Sequence, residues 1–372
     1  MVTVDSFKGR SVLLLAHIAG MIDMVALPVW VGAALIGQYR FSPQQAGGMV
    51  TIYLIGAVLA SVFFASRFTR FSARLISSLG YGVACLAFLA LTQTRDFAAM
   101  AVLHGVAGLA AGAALSFTHG TIGRSPNPHR LFAIVGLGLC VSAIFFLGGS
   151  QEIISKTGGS GLFVMFAAIM ALATLACALG FPRLAAAQSG ETTAIAPLSR
   201  ETWLVIFGVI LMALNQAMVF SYVERIGFER GYGDKVTAVL IALGFVNLLS
   251  PILAGVMQTR LPVRGVTIAG PLLQAVLTCL IIFVGTFLSY AFATTLFIAV
   301  MIFTHTFAFG LLAKLDPSGR AAAATAATLM TGAAIGPILG GVLIQQIGYP
   351  AVAVTVVIVG LMASTLFARA AK

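Results

Sequence analysis

One carboxyl lies deep inside a long apolar stretch of the sequence, and proton chemistry is expected there first. Asp23 comes about 11 residues into the stretch 12–37, which is roughly 17 Å along a helix and near the middle of a membrane core about 30 Å thick. A charge at that depth costs at least about 2.5 kcal/mol, so Asp23 is a functional candidate by default. Because hydrocarbon disfavours the charged carboxylate, Asp23 can take up a proton near neutral pH, and we expect it to be the proton-coupling group. The alternative is a hydrogen bond that holds neighbouring helices together.

Further polar side chains also lie inside apolar stretches and could line a substrate cavity. Histidine titrates near 6.5 and can relay protons or contact an anionic substrate, although each histidine here could instead be a packing residue or face water at a helix end. Asn215 and Tyr222 share one face of a helix with Met218, because their spacing is i, i+3, i+7. The candidates for the cavity are His17, His104, Asn215, Gln216, Tyr222 and His305.

Metal, cofactor and catalytic motifs are missing from the sequence. It has no HxxxH or CxxC spacing, and its four cysteines lie in apolar runs as packing residues. It also lacks the G-x-x-x-x-G-K-S/T phosphate loop of an ATPase. An intramembrane enzyme would need a nucleophile–base pair or a metal cluster at membrane depth, and neither is evident. We expect no enzyme activity, no cofactor and no metal.

Composition places these residues in a membrane protein. Of 372 residues, 60% are hydrophobic and only 8% are charged, and the mean hydropathy is +1.07. Soluble globular proteins carry about 25% charged residues, so a soluble enzyme or nucleic-acid-binding domain is excluded. The net charge of +11 comes from basic residues in ones to threes between apolar runs, which is the pattern of membrane topology rather than of a nucleic-acid site.

The apolar runs are long and continuous, so they predict helices, which satisfy every backbone amide within one segment. The first run is longer than the core of a signal peptide and is expected to stay in the protein. The sequence therefore predicts an all-α integral membrane protein with twelve spans, at 12–37, 45–66, 74–93, 97–117, 131–149, 161–181, 202–223, 235–257, 264–285, 289–312, 321–346 and 350–369.

The distribution of Lys and Arg predicts the orientation. With the N-terminus inside, 15 of these residues fall on the inner side and 6 on the outer side. Both termini are therefore expected in the cytoplasm, in a bacterial inner membrane. The polar segment 183–201 divides six spans from six, which predicts bundles at 1–182 and 202–372 joined by a cytoplasmic connector. Gly108 and Gly112 in the fourth span, and several glycines in the eleventh, predict close helix packing.

The chain resembles the major facilitator superfamily of transporters over nearly its whole length. The resemblance rests on the layout of six plus six helices and on the segments SRFTRFSAR, HGVAGLAAG, LDPSGR and GAAIGPILGG. Three features depart from the family's patterns. The loop after the second helix lacks the family's Gly and Asp, and His104 stands where the family's fourth-helix pattern usually begins with Arg. Drug antiporters carry a Gly-Pro-Gly-Gly pattern on the fifth helix, whereas the similar segment of this chain lies on the eleventh.

The resemblance implies a central cavity lined by helices one, four, seven and ten, where the polar residues concentrate. It also implies a gate at the inner end of the helices, with Arg67, Arg70, Arg74, Asp316 and Arg320 as candidates. The arginines could instead fix orientation and contact lipid phosphates, and Asp316 and Arg320 could form a charge-linked turn. Glu224 and Arg225 are candidates for an outer gate or for a simple rim pair.

We expect a monomeric secondary transporter that works by alternating access and is driven by protons. Its partners would be a small-molecule substrate, protons and the lipid bilayer, with no nucleic acid. Export of an amphiphilic or aromatic compound is the first choice. Uptake of an organic metabolite and a non-transporting role as a membrane assembly factor are the alternatives.

Overall fold

The computed structural model describes residues 2–65, 67–183, 198–316, 321 and 325–370. In this part of the chain, twelve helices are long and apolar enough to cross a membrane, which agrees with the twelve predicted spans. The helices are α1 (Phe7–Pro28, continued by a π-helix over Val29–Gln38), α2 (Pro43–Ala65), α3 (Ala73–Leu91), α4 (Phe97–Gly123), α5 (Pro128–Thr157), α6 (Ser160–Gly180), α7 (Arg200–Phe220), α8 (Lys235–Met257), α9 (Val263–Phe283), α10 (Phe287–Leu315), α11 (Thr325–Gln346) and α12 (Tyr349–Ala370).

Local sequence signals set where several helices begin. The side chains of Ser72, Asp96, Ser199 and Thr286 each accept a hydrogen bond from the backbone N–H three residues later. These N-cap bonds satisfy donors that the first turn of a helix leaves without an intrahelical partner. The starts of α3, α4, α7 and α10 are therefore determined by short polar side chains next to apolar runs.

Two helices extend well beyond their apolar runs. The prediction ended the fourth span at residue 117 and the fifth at 149, whereas α4 continues to Gly123 and α5 to Thr157. In α4, the hydroxyls of Thr118 and Thr121 donate to the carbonyls of Ala114 and Phe117, four residues earlier. Such polar residues can continue a helix beyond the hydrocarbon core, so the apolar run is shorter than the helix that contains it.

Compact unit 1 consists of residues 1–25, 52–142 and 160–197, within which 66 and 184–197 lie outside the described residues. Its helices α3, α4 and α6 pack side by side. A Cβ at Gly108 or Gly112 would strike the backbone of Tyr53 or Ala57 on α2, so these glycines permit a close approach of α4 to α2. This confirms the packing role expected for the GxxxG segment.

Compact unit 2 consists of residues 26–51, 143–159 and 198–372. In its described part, α11 packs along α7 through Gly332, Gly336 and Gly340, where a Cβ would collide with α7. Unit 2 also includes the last part of α1, the start of α2 and the end of α5. These segments come from the first half of the sequence, so each compact unit groups segments that pack together even when they are distant in the chain. The division at the connector 183–201 stays a prediction, since residues 184–197 lie outside the described part.

Large apolar side chains remain exposed on the helices, among them Leu86, Phe145 and Leu179. A protein dispersed in water would avoid exposing so much apolar surface, whereas lipid solvates it. The surface of the described helices is therefore suited to a membrane.

Candidate functional site

Asp23 lies on α1 in unit 1, and its side chain is enclosed by protein. The residue is 2% exposed, and neither carboxyl oxygen has a side-chain hydrogen-bond partner among the described residues. The phenols of Tyr53 on α2 and Tyr81 on α3 interact with it electrostatically. The Tyr81 hydroxyl donates its own hydrogen bond to the Ala16 carbonyl at 2.6 Å. Asp23 therefore faces other helices rather than lipid, and within the described residues it does not tie helices together by a side-chain hydrogen bond.

A pair of histidines joins α1 to α4 in the same unit. The Nδ1 atom of His17 lies 2.9 Å from Nε2 of His119, and Phe132 of α5 stands edge-on to His119. Two ring nitrogens at this distance share one N–H, so one imidazole donates and the other accepts. Sequence reasoning missed His119, because the predicted fourth span ended at residue 117. The continuation of α4 through Thr118 and Thr121 is the signal that could have placed it inside the helix.

His104 and His305 lie in separate units and are both buried. The Nδ1 atom of His104 donates to the Met100 carbonyl at 2.7 Å, since a carbonyl can only accept, and its ring meets Phe163 edge-on. His305 is 5% exposed and stacks on Phe309 with ring centroids 5.5 Å apart. The alternative that His305 simply faces water is therefore wrong. Both rings pack among aromatic neighbours.

The polar residues of α7 contact neighbouring helices. The Asn215 amide donates to the Val356 carbonyl of α12 at 3.1 Å, and Gln216 is half-buried. The Tyr222 hydroxyl lies 3.0 Å from the Pro43 carbonyl and 2.7 Å from the Pro337 carbonyl. Its donation to these two oxygens links the start of α2 to α11 inside unit 2.

A second buried carboxyl lies just after α7, on the short helix Val223–Glu229. Glu224 is 2% exposed, and its Oε1 atom accepts a 3.0 Å hydrogen bond from the Gln151 amide of α5. Its Oε2 atom lies against Gly32 in the continuation of α1, where a Cβ would collide with it. Three segments distant in sequence therefore meet at this carboxyl.

Glu224 and Arg225 form no ion pair with each other among the described residues. Arg225 forms an ion pair with Glu229 at 2.7 Å, and the Tyr349 hydroxyl donates to the other Glu229 oxygen at 2.9 Å. The spacing i, i+4 puts Arg225 and Glu229 on one side of the short helix, whereas consecutive residues point in different directions. The gate role of Glu224 and Arg225 stays a prediction.

The basic residues after α2 bind carbonyl groups and an aromatic ring. Arg67 lies over the Phe63 ring at 3.9 Å and donates to the Phe63 carbonyl, Arg74 donates to the Ala178 carbonyl of α6, and Arg70 is exposed. These contacts anchor the loop to unit 1.

At the end of α10, Asp316 accepts a 2.8 Å hydrogen bond from the backbone N–H of Ala321. This hydrogen bond ties Ala321 to the end of α10. Its expected partner Arg320 lies outside the described residues.

Metal ligands do not cluster in the part of the chain that the structure describes, because no three His, Cys, Asp or Glu side chains come together there. The His17–His119 pair supplies two nitrogens.

Comparison with known proteins gives a family and a fold. The Major Facilitator Superfamily model matches residues 12–327. The crystal structure of the nucleoside transporter NupG superposes with a TM-score of 0.70 at 15% identity, and that of a NupG point mutant with 0.73 at 14% identity. Each match covers 97% of this chain and 98% of the other, and at these identities it shows the fold alone. No curated protein sequence matches the chain.

The family match covers most of the helices that the structure describes, from the first to the start of the eleventh. The sequence-based prediction of the family is thereby confirmed. The chain is a member of the Major Facilitator Superfamily, an integral membrane transporter of small molecules rather than an enzyme.

Proposed function

We propose that this protein is a proton-coupled secondary transporter with Asp23 as its proton-binding group. The observation that carries the proposal is the enclosed carboxyl of Asp23, which has no side-chain hydrogen bond among the described residues. Burying an ionised carboxylate without a cation costs several kcal/mol, so the carboxyl favours its protonated form until a change in its surroundings admits water or a cation. That change couples proton release to a conformational step, as a proton-driven carrier requires.

The distribution of basic residues favours a neutral or cationic organic substrate. Lys and Arg occur in the twelve spans only near their ends. Among the described residues, none of the buried polar side chains belongs to Lys or Arg. A phosphate or dicarboxylate substrate would be bound best by such side chains, particularly by the fork of an arginine. An amphiphilic or aromatic compound, carried outward, remains the first candidate.

A second candidate function is uptake of an organic metabolite with the character of a nucleoside. The likeness of the fold to the nucleoside transporter NupG favours it. A nucleoside combines an aromatic base with a neutral polar sugar, so it fits the same preference for uncharged substrates. Only the direction of transport and the need for hydroxyl recognition separate the two candidates.

Packing inside unit 2 supports alternating access. The first-half segments 26–51 and 143–159 pack there with α7, α11 and the short helix. With both termini in the cytoplasm of a bacterium, these contacts lie at the outer end of the helices and describe a carrier closed on that side. Glu224, Arg225 and Tyr222 then belong to the outer gate. Arg67, Arg70, Arg74, Asp316 and Arg320 are assigned to the inner gate of a monomeric transporter.

The test is transport in vesicles that contain the purified protein and a pH-sensitive dye. A panel of cationic amphiphiles, neutral aromatic compounds and nucleosides is added on either side. We expect compound-dependent proton movement that disappears in Asp23→Asn, because the amide keeps the shape but cannot exchange a proton.

Glu152→Gln serves as the matched control, since Glu152 is an exposed carboxylate paired with Lys156 on the surface of α5. It should transport like the unaltered protein. Full proton movement in Asp23→Asn would remove the assignment of Asp23. The side from which a compound drives proton flow decides between export and uptake.

A further inference from the structure

The buried carboxyl of Glu224 is placed where three parts of the chain must come together. Oε1 accepts from Gln151 of α5, and Oε2 lies against Gly32 in the continuation of α1. Two further links close the same region: the Gln44 N–H donates to the Gln345 side chain at 3.2 Å, and the Ile338 N–H donates to the Thr51 hydroxyl at 3.2 Å. All these residues belong to unit 2.

The charged groups around Glu224 are engaged elsewhere. Arg225, which acts on Glu224 electrostatically, forms its ion pair with Glu229. Arg230 donates to the carbonyls of Ile282 and Val284 at the end of α9. Among the described residues, no ion pair includes Glu224.

The titratable groups on the other neighbouring helices are phenols with partners of their own. The Tyr290 hydroxyl of α10 donates to the Val223 carbonyl at 2.9 Å, and the Tyr349 hydroxyl at the start of α12 donates to Glu229. The segments from α1 and α5 contribute the neutral residues Gly32 and Gln151. The only hydrogen bond to Glu224 among the described residues therefore comes from an uncharged amide.

This environment accommodates a carboxylic acid better than a carboxylate. A buried carboxylate without a cation pays a large desolvation cost, and one amide hydrogen bond does not offset it. Gly32 leaves room for the carboxyl but offers no side chain that could neutralise it. When Glu224, Gln151 and Gly32 move apart and water enters, the charged form of the Glu224 carboxyl is solvated again.

We propose that Glu224 is a second proton-binding site, which links protonation to closure of the outer end. The contact among Glu224, Gln151 and Gly32 forms with the carboxyl protonated, and loss of this proton to outside water favours opening. The inference rests on the alternating access of the proposed function, but it is independent of the role of Asp23. Glu224 controls the gate, whereas Asp23 couples protons to transport.

The test follows the distance between residues 44 and 345 across a pH range. The four native cysteines are replaced by serine, and Gln44→Cys with Gln345→Cys carries a pair of spin labels in the full-length protein in lipid nanodiscs. Because one linked proton changes an equilibrium by up to tenfold per pH unit, the ratio of short to long distances should fall by up to tenfold per unit as pH rises through the transition.

The Glu224→Gln variant should keep the short distance at every pH, because its amide fills the same space and cannot ionise. Glu152→Gln is the matched control, an exposed carboxylate whose ion pair is with Lys156, and it should keep the pH dependence. Thermal unfolding of each variant checks that it is folded.

Three outcomes would overturn the proposal. They are a distance that does not change with pH in the unaltered protein, an unchanged pH dependence in Glu224→Gln, and an equal loss of dependence in Glu152→Gln. The proton-flux assay on Asp23→Asn gives an independent result, so failure of the gate proposal and failure of the proposed function are distinguishable.

Discussion

The contact between α7 and α11 gives a quantitative prediction about packing. A Cβ at Gly336 would lie 2.6 Å from the Met218 nitrogen and 2.7 Å from the Ala217 Cβ, where ordinary contacts begin at 3.4 Å. Because one of these obstacles is backbone, Gly336→Ala forces the two helices apart instead of rotating a side chain. Overpacking costs about 1–3 kcal/mol, and the upper end, about 3 kcal/mol, applies here because a backbone atom cannot move aside as a side chain can. The better helix propensity of alanine returns about 1 kcal/mol of that cost. We expect a net destabilisation of about 2 kcal/mol.

The matched control is Gly310→Ala in α10, where a Cβ would meet nothing within 4 Å. There only the gain in helix propensity remains, about 1 kcal/mol. The two variants should therefore differ by about 3 kcal/mol, which is several degrees in the midpoint of thermal unfolding. Fluorescence-detected unfolding in detergent measures this difference. Equal midpoints for Gly336→Ala and Gly310→Ala would refute the close approach of α7 and α11.

Two other side chains give sharp predictions that the same unfolding assay can measure. Tyr222→Phe removes the hydroxyl that donates to the Pro43 and Pro337 carbonyls, so it should destabilise the protein by about 1–3 kcal/mol. The control Tyr232→Phe loses only an exposed hydrogen bond to the Gly285 carbonyl and should change stability by less than about 1 kcal/mol. Asp316→Ala removes the acceptor of the Ala321 N–H and should cost about 1 kcal/mol; an unchanged midpoint would show that this hydrogen bond contributes nothing.

Span number and helix type could be predicted because they depend on local properties. A stretch of about 20 apolar residues is long enough to cross a membrane whatever surrounds it, so twelve runs gave twelve helices. The packing glycines of α4 and α11 were also predictable, since small residues at four-residue spacing form one smooth helix face. Helix ends were less predictable, because Thr118 and Thr121 continue α4 where hydropathy has already fallen.

Partners across the fold could not be predicted. His17 and His119 are 102 positions apart, and nothing in either local sequence indicates that their rings meet. The contact between Gln151 and Glu224 likewise spans 73 positions. Arg225 was considered as a rim partner of Glu224, whereas helix geometry directs it to Glu229. Pairing depends on which helices pack together, which the sequence pattern of single spans does not encode.

Asp23 and Glu224 have in common an energetic property that packing alone does not explain. Each carboxyl is almost fully enclosed. An amide at either position would fill nearly the same space, and because it does not ionise it would avoid the cost of desolvating a charge. Neither carboxyl has an ion pair among the described residues that would compensate that cost. Their surroundings differ, because Asp23 has no side-chain hydrogen bond among the described residues of unit 1, while Glu224 receives one amide hydrogen bond in unit 2. Two enclosed acids in separately packed units can release their protons at different conformational steps, and an ordered sequence of proton binding and release is what converts a proton gradient into directed transport.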